Sequence, residues 1–259
     1  MPGVQIDPND IMIELRQLRK SFGAQQVLRD VTLNIRRGET IVIIGQSGGG
    51  KSVILKHMIG LLQPDGGEVR VDGEIISSPT FFDTQTIRKK MGMLFQNGAL
   101  FDSMNAGENI AFALREHNRN MSEEEIQEQV TKMLQMIHLK TEFRKKMPSE
   151  LSGGMRKRLA LARAIALKPQ ILLYDEPTTG LDPVTSDVIN DLIIDMQQKL
   201  GVTSVVVTHD MASAYKVSDR IAMLYEGRII ACDTTENIRN TDNPYVKQFI
   251  TGQRKLPTS

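Results

Sequence analysis

A chain of 259 residues, 40% hydrophobic and 24% charged, has the composition of a globular protein able to bury a sizeable core. Its 32 basic and 31 acidic residues leave a formal charge of +1 and no long basic block, which argues against nucleic acid as the main partner. No apolar run approaches the roughly 18 residues that span a bilayer. The first ten residues lack the apolar stretch of a secretion signal, and Cys232 stands alone, so the expected setting is a reducing, cytoplasmic one. Action at a membrane would then need a separate partner.

Residues 11–35 alternate apolar and polar positions around a turn at Ser21-Phe22-Gly23, the pattern of antiparallel strands. Phe22 stands where an aromatic ring could stack on adenine, although core packing accounts for it nearly as well. Ile41-Val42-Ile43-Ile44 is a short β-branched run, the signature of a strand covered on both faces. It feeds Gly45-Gln46-Ser47-Gly48-Gly49-Gly50-Lys51-Ser52, which fits G-x-x-x-x-G-K-S/T, and Ile54, Leu55, Met58, Ile59 and Leu62 then recur at helical spacing. Strand, glycine loop and helix form the context of a phosphate-binding loop. Glycines let backbone N–H groups approach the α- and β-phosphates, Lys51 brings charge to the β- and γ-phosphates, and the Ser52 hydroxyl ligates Mg²⁺.

Further strand signals lie at 67–71 and 91–95. Gln96 ends the second of these, where a side-chain amide could sense Mg²⁺ or water and pass on a shift of the helices that follow. The texture turns helical over 97–168. Ser122 and Glu125 form a capping box ahead of the apolar stripe Ile126, Val130, Met133 and Ile137. Leu100 and Phe101 suggest a partner surface beside a glycine-containing loop. Ser152-Gly153-Gly154 opens another helix, with Ser152 as its N-cap and the glycine N–H groups expected to face outward as an anion site.

Ile171-Leu172-Leu173-Tyr174 is a hydrophobic strand ending in Asp175-Glu176, two carboxylates at the sheet edge where α/β proteins bind ligands. Asp175 is the expected Mg²⁺ ligand and Glu176 the general base that polarises an attacking water. Asp182-Pro183 reads as an N-cap and first helical position, and Asp182 could equally reach across a subunit boundary. After the strand around Val205-Val206-Val207, His209 stands where it could hydrogen-bond a γ-phosphate. His57, His117 and His138 have only structural readings. Residues 221–224 and 228–231 suggest a closing hairpin around Glu226-Gly227, and the last 25 or so residues read as polar.

In that order, the loop 45–52, Gln96, Leu151-Ser152-Gly153-Gly154-Met155, Asp175-Glu176, Asp182 and His209 resemble the motifs of the ATP-binding-cassette (ABC) ATPases of transporters. The resemblance runs to about residue 235. It implies an α/β P-loop NTPase with a RecA-like core, an antiparallel β subdomain and an inserted α-helical subdomain. The matching division is 1–96 and 169–235 for the core, 97–168 for the helical piece and 236–259 for a C-terminal extension. It also implies ATP and Mg²⁺ as ligands and a head-to-tail homodimer, each nucleotide lying between one copy's phosphate loop and the other's Ser152 loop.

Met93-Leu94-Phe95-Gln96-Asn97-Gly98-Ala99-Leu100-Phe101, with Glu108-Asn109 and 113–117 after it, looks most like the ATPases of Mla-type phospholipid-transport systems, as does Met155 where cassettes usually carry Gln. Val53, where many cassettes have Thr, is a minor departure. This finer resemblance implies phospholipid transport between bacterial inner and outer membranes, maintaining outer-membrane lipid asymmetry. The implied partners are a membrane permease, an MCE-domain lipid-binding protein and a small STAS-domain subunit, and the implied place is the cytoplasmic face of the inner membrane. The alternatives are a cassette energising another substrate's transporter, a soluble cassette of DNA repair or translation, and a P-loop kinase.

Overall fold

The hairpin signal resolves into β1 (Ile11–Phe22) and β2 (Gln25–Arg36), which pair antiparallel through a turn at Gly23. The computed structural model describes residues 7, 10–83, 90–118 and 120–252. Alternation places Met12, Ile13, Leu15 and Leu18 of β1 and Leu28, Val31, Leu33 and Ile35 of β2 in the core. The alternation is imperfect because Gln17 and Asp30 take left-handed backbone conformations, and the β1–β2 register shifts along the hairpin. β4 (Gly66–Val71) joins β1, and β5 (Glu74–Ser77) joins β4, giving a four-stranded antiparallel sheet in the order β2-β1-β4-β5.

A second sheet forms the centre of the molecule. β3 (Thr40–Ile44), β6 (Met91–Leu94), β7 (Ile171–Asp175), β8 (Thr203–Val207), β9 (Arg220–Tyr225) and β10 (Arg228–Thr234) lie in the order β10-β9-β3-β8-β7-β6. All neighbours are parallel except the β9–β10 hairpin. Every residue of β3, β6, β7 and β8 is buried, as a strand covered on both faces requires.

Successive residues of those strands serve two different cores. Ile41, Ile43, Leu173, Val205 and Val207 pack toward the antiparallel sheet and α1 (Lys51–Met58), with Ile54, Leu55 and Met58 of that helix. Val42, Ile44, Leu172, Tyr174 and Val206 pack on the opposite side with the helical lobe and with α5 (Pro183–Leu200). Each such aliphatic side chain contributes about 1.5–3 kcal/mol when taken out of water.

The helical stretch contains α2 (Ala106–His117), α3 (Glu123–Met136) and α4 (Gly153–Ile165), with short 3₁₀ turns at Thr141–Lys145 and Pro148–Glu150. The Ser122–Glu125 capping box forms as predicted. A second box, Asn105 with Glu108, opens α2. Asn109 is fully buried and holds the preceding loop: it accepts from the Phe101 N–H and donates to the carbonyls of Phe101, Met104 and Asn105.

The end of the chain carries more order than its polar composition suggests. α6 (Met211–Val217) precedes β9, and α7 (Thr235–Arg239) and α8 (Pro244–Thr251) follow β10. Ile238 and Val246 are buried in the helical-side core, with Phe249 and Ile250 against it, and the Tyr225 and Tyr245 rings lie 5.0 Å apart. Cys232 lies on β10 behind Arg220, whose guanidinium donates to its sulfur at 2.9 Å. Burial pushes the thiol pKa up.

Candidate functional site

β3 runs into the glycine loop, and backbone geometry explains two of its glycines. Gly45 has φ 153°, and a Cβ there would come within 2.4 Å of the Leu224 carbonyl oxygen. Gly50 is left-handed at φ 103° and immediately precedes α1, whose start has no side-chain cap. The N–H groups that open any helix are therefore available to an anion. Lys51, only 5% exposed, folds back over the loop, donating to the carbonyls of Gly45 at 2.9 Å and Gln46 at 3.1 Å. Its ammonium also lies 3.6 Å from Glu176 Oε1.

β7 and β3 end side by side across β8, which brings the two acids to the loop. Ser52 Oγ donates to Asp175 Oδ1 at 2.7 Å. Two hard oxygen donors in contact match what Mg²⁺ takes from a protein when phosphates and water supply the rest of its shell. Glu176 is held in a left-handed conformation at φ 48°, a strained state for a residue with a side chain. Its Oε2 receives three contacts: His209 Nδ1 at 2.9 Å, the Thr179 hydroxyl at 3.1 Å and the Thr208 hydroxyl at 3.4 Å. An ionised carboxylate can only accept, so that bond places a proton on Nδ1 of His209.

Ser47, Gly48, Gly50, Lys51, Ser52, Val53, Gln96, Glu176, Thr179 and His209 line one cleft of about 400 Å³. Gln46 and Gly49 belong to the same loop, where the Gly49 N–H donates to the Gln46 carbonyl. Thr179 and Thr208 escaped the sequence reading, since a threonine after a strand or in a turn carries no distinctive spacing.

Other predicted residues lie apart from this cleft. Ser152 caps α4 through its Oγ, which accepts from the Met155 N–H at 3.3 Å. Ser152 is exposed, Gly153 half-buried and Gly154 buried, where a Cβ would stand 2.2 Å from Thr185 Cγ2. Asp182 caps α5, accepting from the Thr185 N–H and hydroxyl at 2.9 and 2.6 Å, and these bonds hold its carboxyl below the usual range. Phe22 is 46% exposed at the end of β1, so core packing does not account for it. Phe101, also exposed, meets Phe112 at 4.9 Å with the Arg163 guanidinium over its ring. His57 is buried on α1 with Nδ1 2.7 Å from the Val53 carbonyl oxygen, a structural role.

A nucleotide-sized cleft, a lysine at the phosphates and a strained acid beside a histidine fit NTP hydrolysis, and residues 28–179 match the family described as ABC transporter. The chain belongs to the ABC transporter family. It is 44% identical over 250 residues to the probable ribonucleotide transport ATP-binding protein mkl of Mycobacterium leprae, covering 96% of this chain and 72% of that protein. It is 42% identical over 265 residues to the chloroplastic protein TRIGALACTOSYLDIACYLGLYCEROL 3 of Arabidopsis thaliana, covering 96% and 76%. It is 38% identical over 241 residues to the intermembrane phospholipid transport system ATP-binding protein MlaF of Escherichia coli, covering 93% and 89%.

Among solved structures, a dimeric post-hydrolysis state of the ATP-binding cassette MJ0796 bound to ADP and Pi superposes with a TM-score of 0.79 at 35% identity, covering 86% of this chain and 99% of that one. This ABC chain is therefore an ATP-binding, ATP-hydrolysing transporter subunit that uses ATP with Mg²⁺, of a class that dimerises and pairs with membrane permeases. Among its described residues no helix is long and apolar enough to cross a membrane.

Proposed function

We propose that this cassette drives phospholipid movement between the inner and outer membranes of a bacterial envelope, acting from the cytoplasmic face of the inner membrane and so helping to maintain outer-membrane lipid asymmetry. The observation that carries the reading is the similarity to MlaF, which extends over 93% of this chain and 89% of that protein. The partners in this reading are permease subunits, an MCE-domain lipid-binding protein and a small STAS-domain subunit. The apolar patch of Phe101 and Phe112 is the surface offered to the permease.

The residues divide the work of hydrolysis. Backbone N–H groups over 45–52 and the start of α1 bind phosphate oxygens, and Lys51 faces the β- and γ-phosphates. Ser52 and Asp175 would hold Mg²⁺, with Gln96 in the same cleft, and the ion would supply positive charge to the transferring phosphoryl group. Glu176 takes the proton of the attacking water, the two threonines fix its carboxylate, and His209 braces the γ-phosphate end of the cleft. Phe22 stacks on the base. Ser152, Gly153, Gly154 and Asp182 act across the homodimer, closing on the neighbour's nucleotide, so that closure and catalysis coincide.

The name of the mycobacterial relative gives a second reading, ribonucleotide transport. Purifying the cassette with its membrane partner, identifying co-purified small molecules by mass spectrometry and measuring stimulated ATPase activity separates the two. Bound phospholipid with lipid-stimulated turnover is expected. Absence of lipid together with stimulation by ribonucleotides overturns the proposal.

A further inference from the structure

Lys157 lies one turn into α4 and is 7% exposed, an uncommon place for a lysine without an acidic partner in contact. Its ammonium donates to two backbone carbonyls from separate parts of the fold: that of Gln96, where β6 meets the helical lobe, and that of Glu176 at 3.3 Å. Glu176 is the residue held at φ 48°, a conformation that persists only where the surroundings enforce it. Burial pushes the lysine below its ordinary pKa range, against the opposing pull of Asp175 and Glu176, which favour its charge.

A second cation on the same helix extends the pattern. Arg163 donates to the carbonyls of Ala99 at 2.7 Å and Gly98 at 3.2 Å. The turn after β6 is thus fastened to α4 at Gln96, Gly98 and Ala99, and Lys157 alone among these contacts also reaches the glutamate. Arg156 and Arg158 donate to other carbonyls, those of Leu151 and His138, rather than to the turn after β6 or to Glu176.

We propose that Lys157 is a positioning residue for hydrolysis: one ammonium joins the helix that begins at Ser152, the turn at Gln96 and the backbone of Glu176. A shift of α4 then alters the attitude of the Glu176 carboxylate through a single side chain. The inference rests on Glu176 being the general base and goes beyond that reading by naming what sets its geometry.

The test compares K157M, K157R, E176Q and the double variant K157M/E176Q in single-turnover hydrolysis, with ATP binding and thermal unfolding measured on each. Methionine keeps the apolar stem in place and removes the donor. Bonds donated by a charged group are of a strength that predicts about a 10–100-fold loss in kcat for K157M, with KM for ATP little changed. K157R is expected to restore most of the rate, and K157M to add almost nothing to the slowing already caused by E176Q, as coupled residues do.

Wild-type turnover by K157M, or an equal slowing on the wild-type and E176Q backgrounds, overturns the role assigned to Lys157. Should K157M fail to fold, K157L, which also removes the donor and keeps an apolar stem, carries the same comparison. Normal hydrolysis by E176Q instead removes the general-base reading and this proposal with it, which separates the two failures.

Discussion

Gly154→Ala is a change whose effect the structure sets against intuition. Gly154 lies in the first turn of α4 and its φ is outside the left-handed region, so alanine is conformationally permitted. Helix propensity alone would favour alanine by about 1 kcal/mol. Against that, the new methyl carbon would lie 2.2 Å from Thr185 Cγ2, while its distances to Thr185 Cβ and Oγ1, 3.7 and 3.9 Å, are ordinary. Thr185 cannot swing away freely, because Asp182 holds both its N–H and its hydroxyl. Overpacking of this kind costs about 1–3 kcal/mol, so net stability should change little while α4 moves away from α5.

Activity is the sharper readout, since a displacement of about 1 Å in a catalytic loop lowers turnover on the order of 10²-fold. Phosphate release at saturating Mg²⁺–ATP should therefore fall about 100-fold in G154A. Thr185→Ser removes only the offending methyl and keeps the hydroxyl for Asp182, so T185S should behave as wild type and the double variant G154A/T185S should recover most of the lost activity. A double variant as slow as G154A would show that the methyl acts elsewhere, and the steric reasoning would fail.

Glu176→Gln should retain ATP binding and slow hydrolysis about 10²–10⁴-fold, the usual worth of a general base; near-normal phosphate release in that variant refutes the assignment. Mixing Ser152→Ala with wild-type protein should give ATPase activity that departs from the weighted sum of the two, because each site borrows its neighbour's serine, and strictly additive rates would contradict a shared site. Asn109→Ala strips the loop at 101–105 of its buried partner. It should cost about 2–3 kcal/mol in urea unfolding, and an unchanged midpoint would mean that solvent replaces those bonds.

Much of the site was legible because its signals are local. A β-branched run, a glycine loop ending in Lys51-Ser52 and an apolar strand ending in Asp175-Glu176 each specify backbone and chemistry within ten residues. The Ser122–Glu125 capping box and the Asp182-Pro183 N-cap were equally local. What stayed hidden depends on contacts distant in sequence. Thr208 is an ordinary strand-end threonine until the sheet order sets it beside Glu176. Lys157 sits between Arg156 and Arg158, and no periodicity says which of the three cations turns inward toward Gln96 and Glu176. Residues 235–251 read as polar because their helices are short and bury few side chains, Ile238 and Val246 among them. The packing at Gly154 was hidden for a related reason: its lack of a side chain serves a close approach to Thr185.

The shielding of Cys232 by Arg220 has a practical reach beyond the fold. With its sulfur engaged and its thiolate disfavoured by burial, the one native cysteine is a poor nucleophile toward maleimide-type reagents. A cysteine introduced on an exposed surface should react well ahead of it. Spin or fluorophore labels for measuring distances between protomers through the ATP cycle can then be attached without first replacing the native thiol.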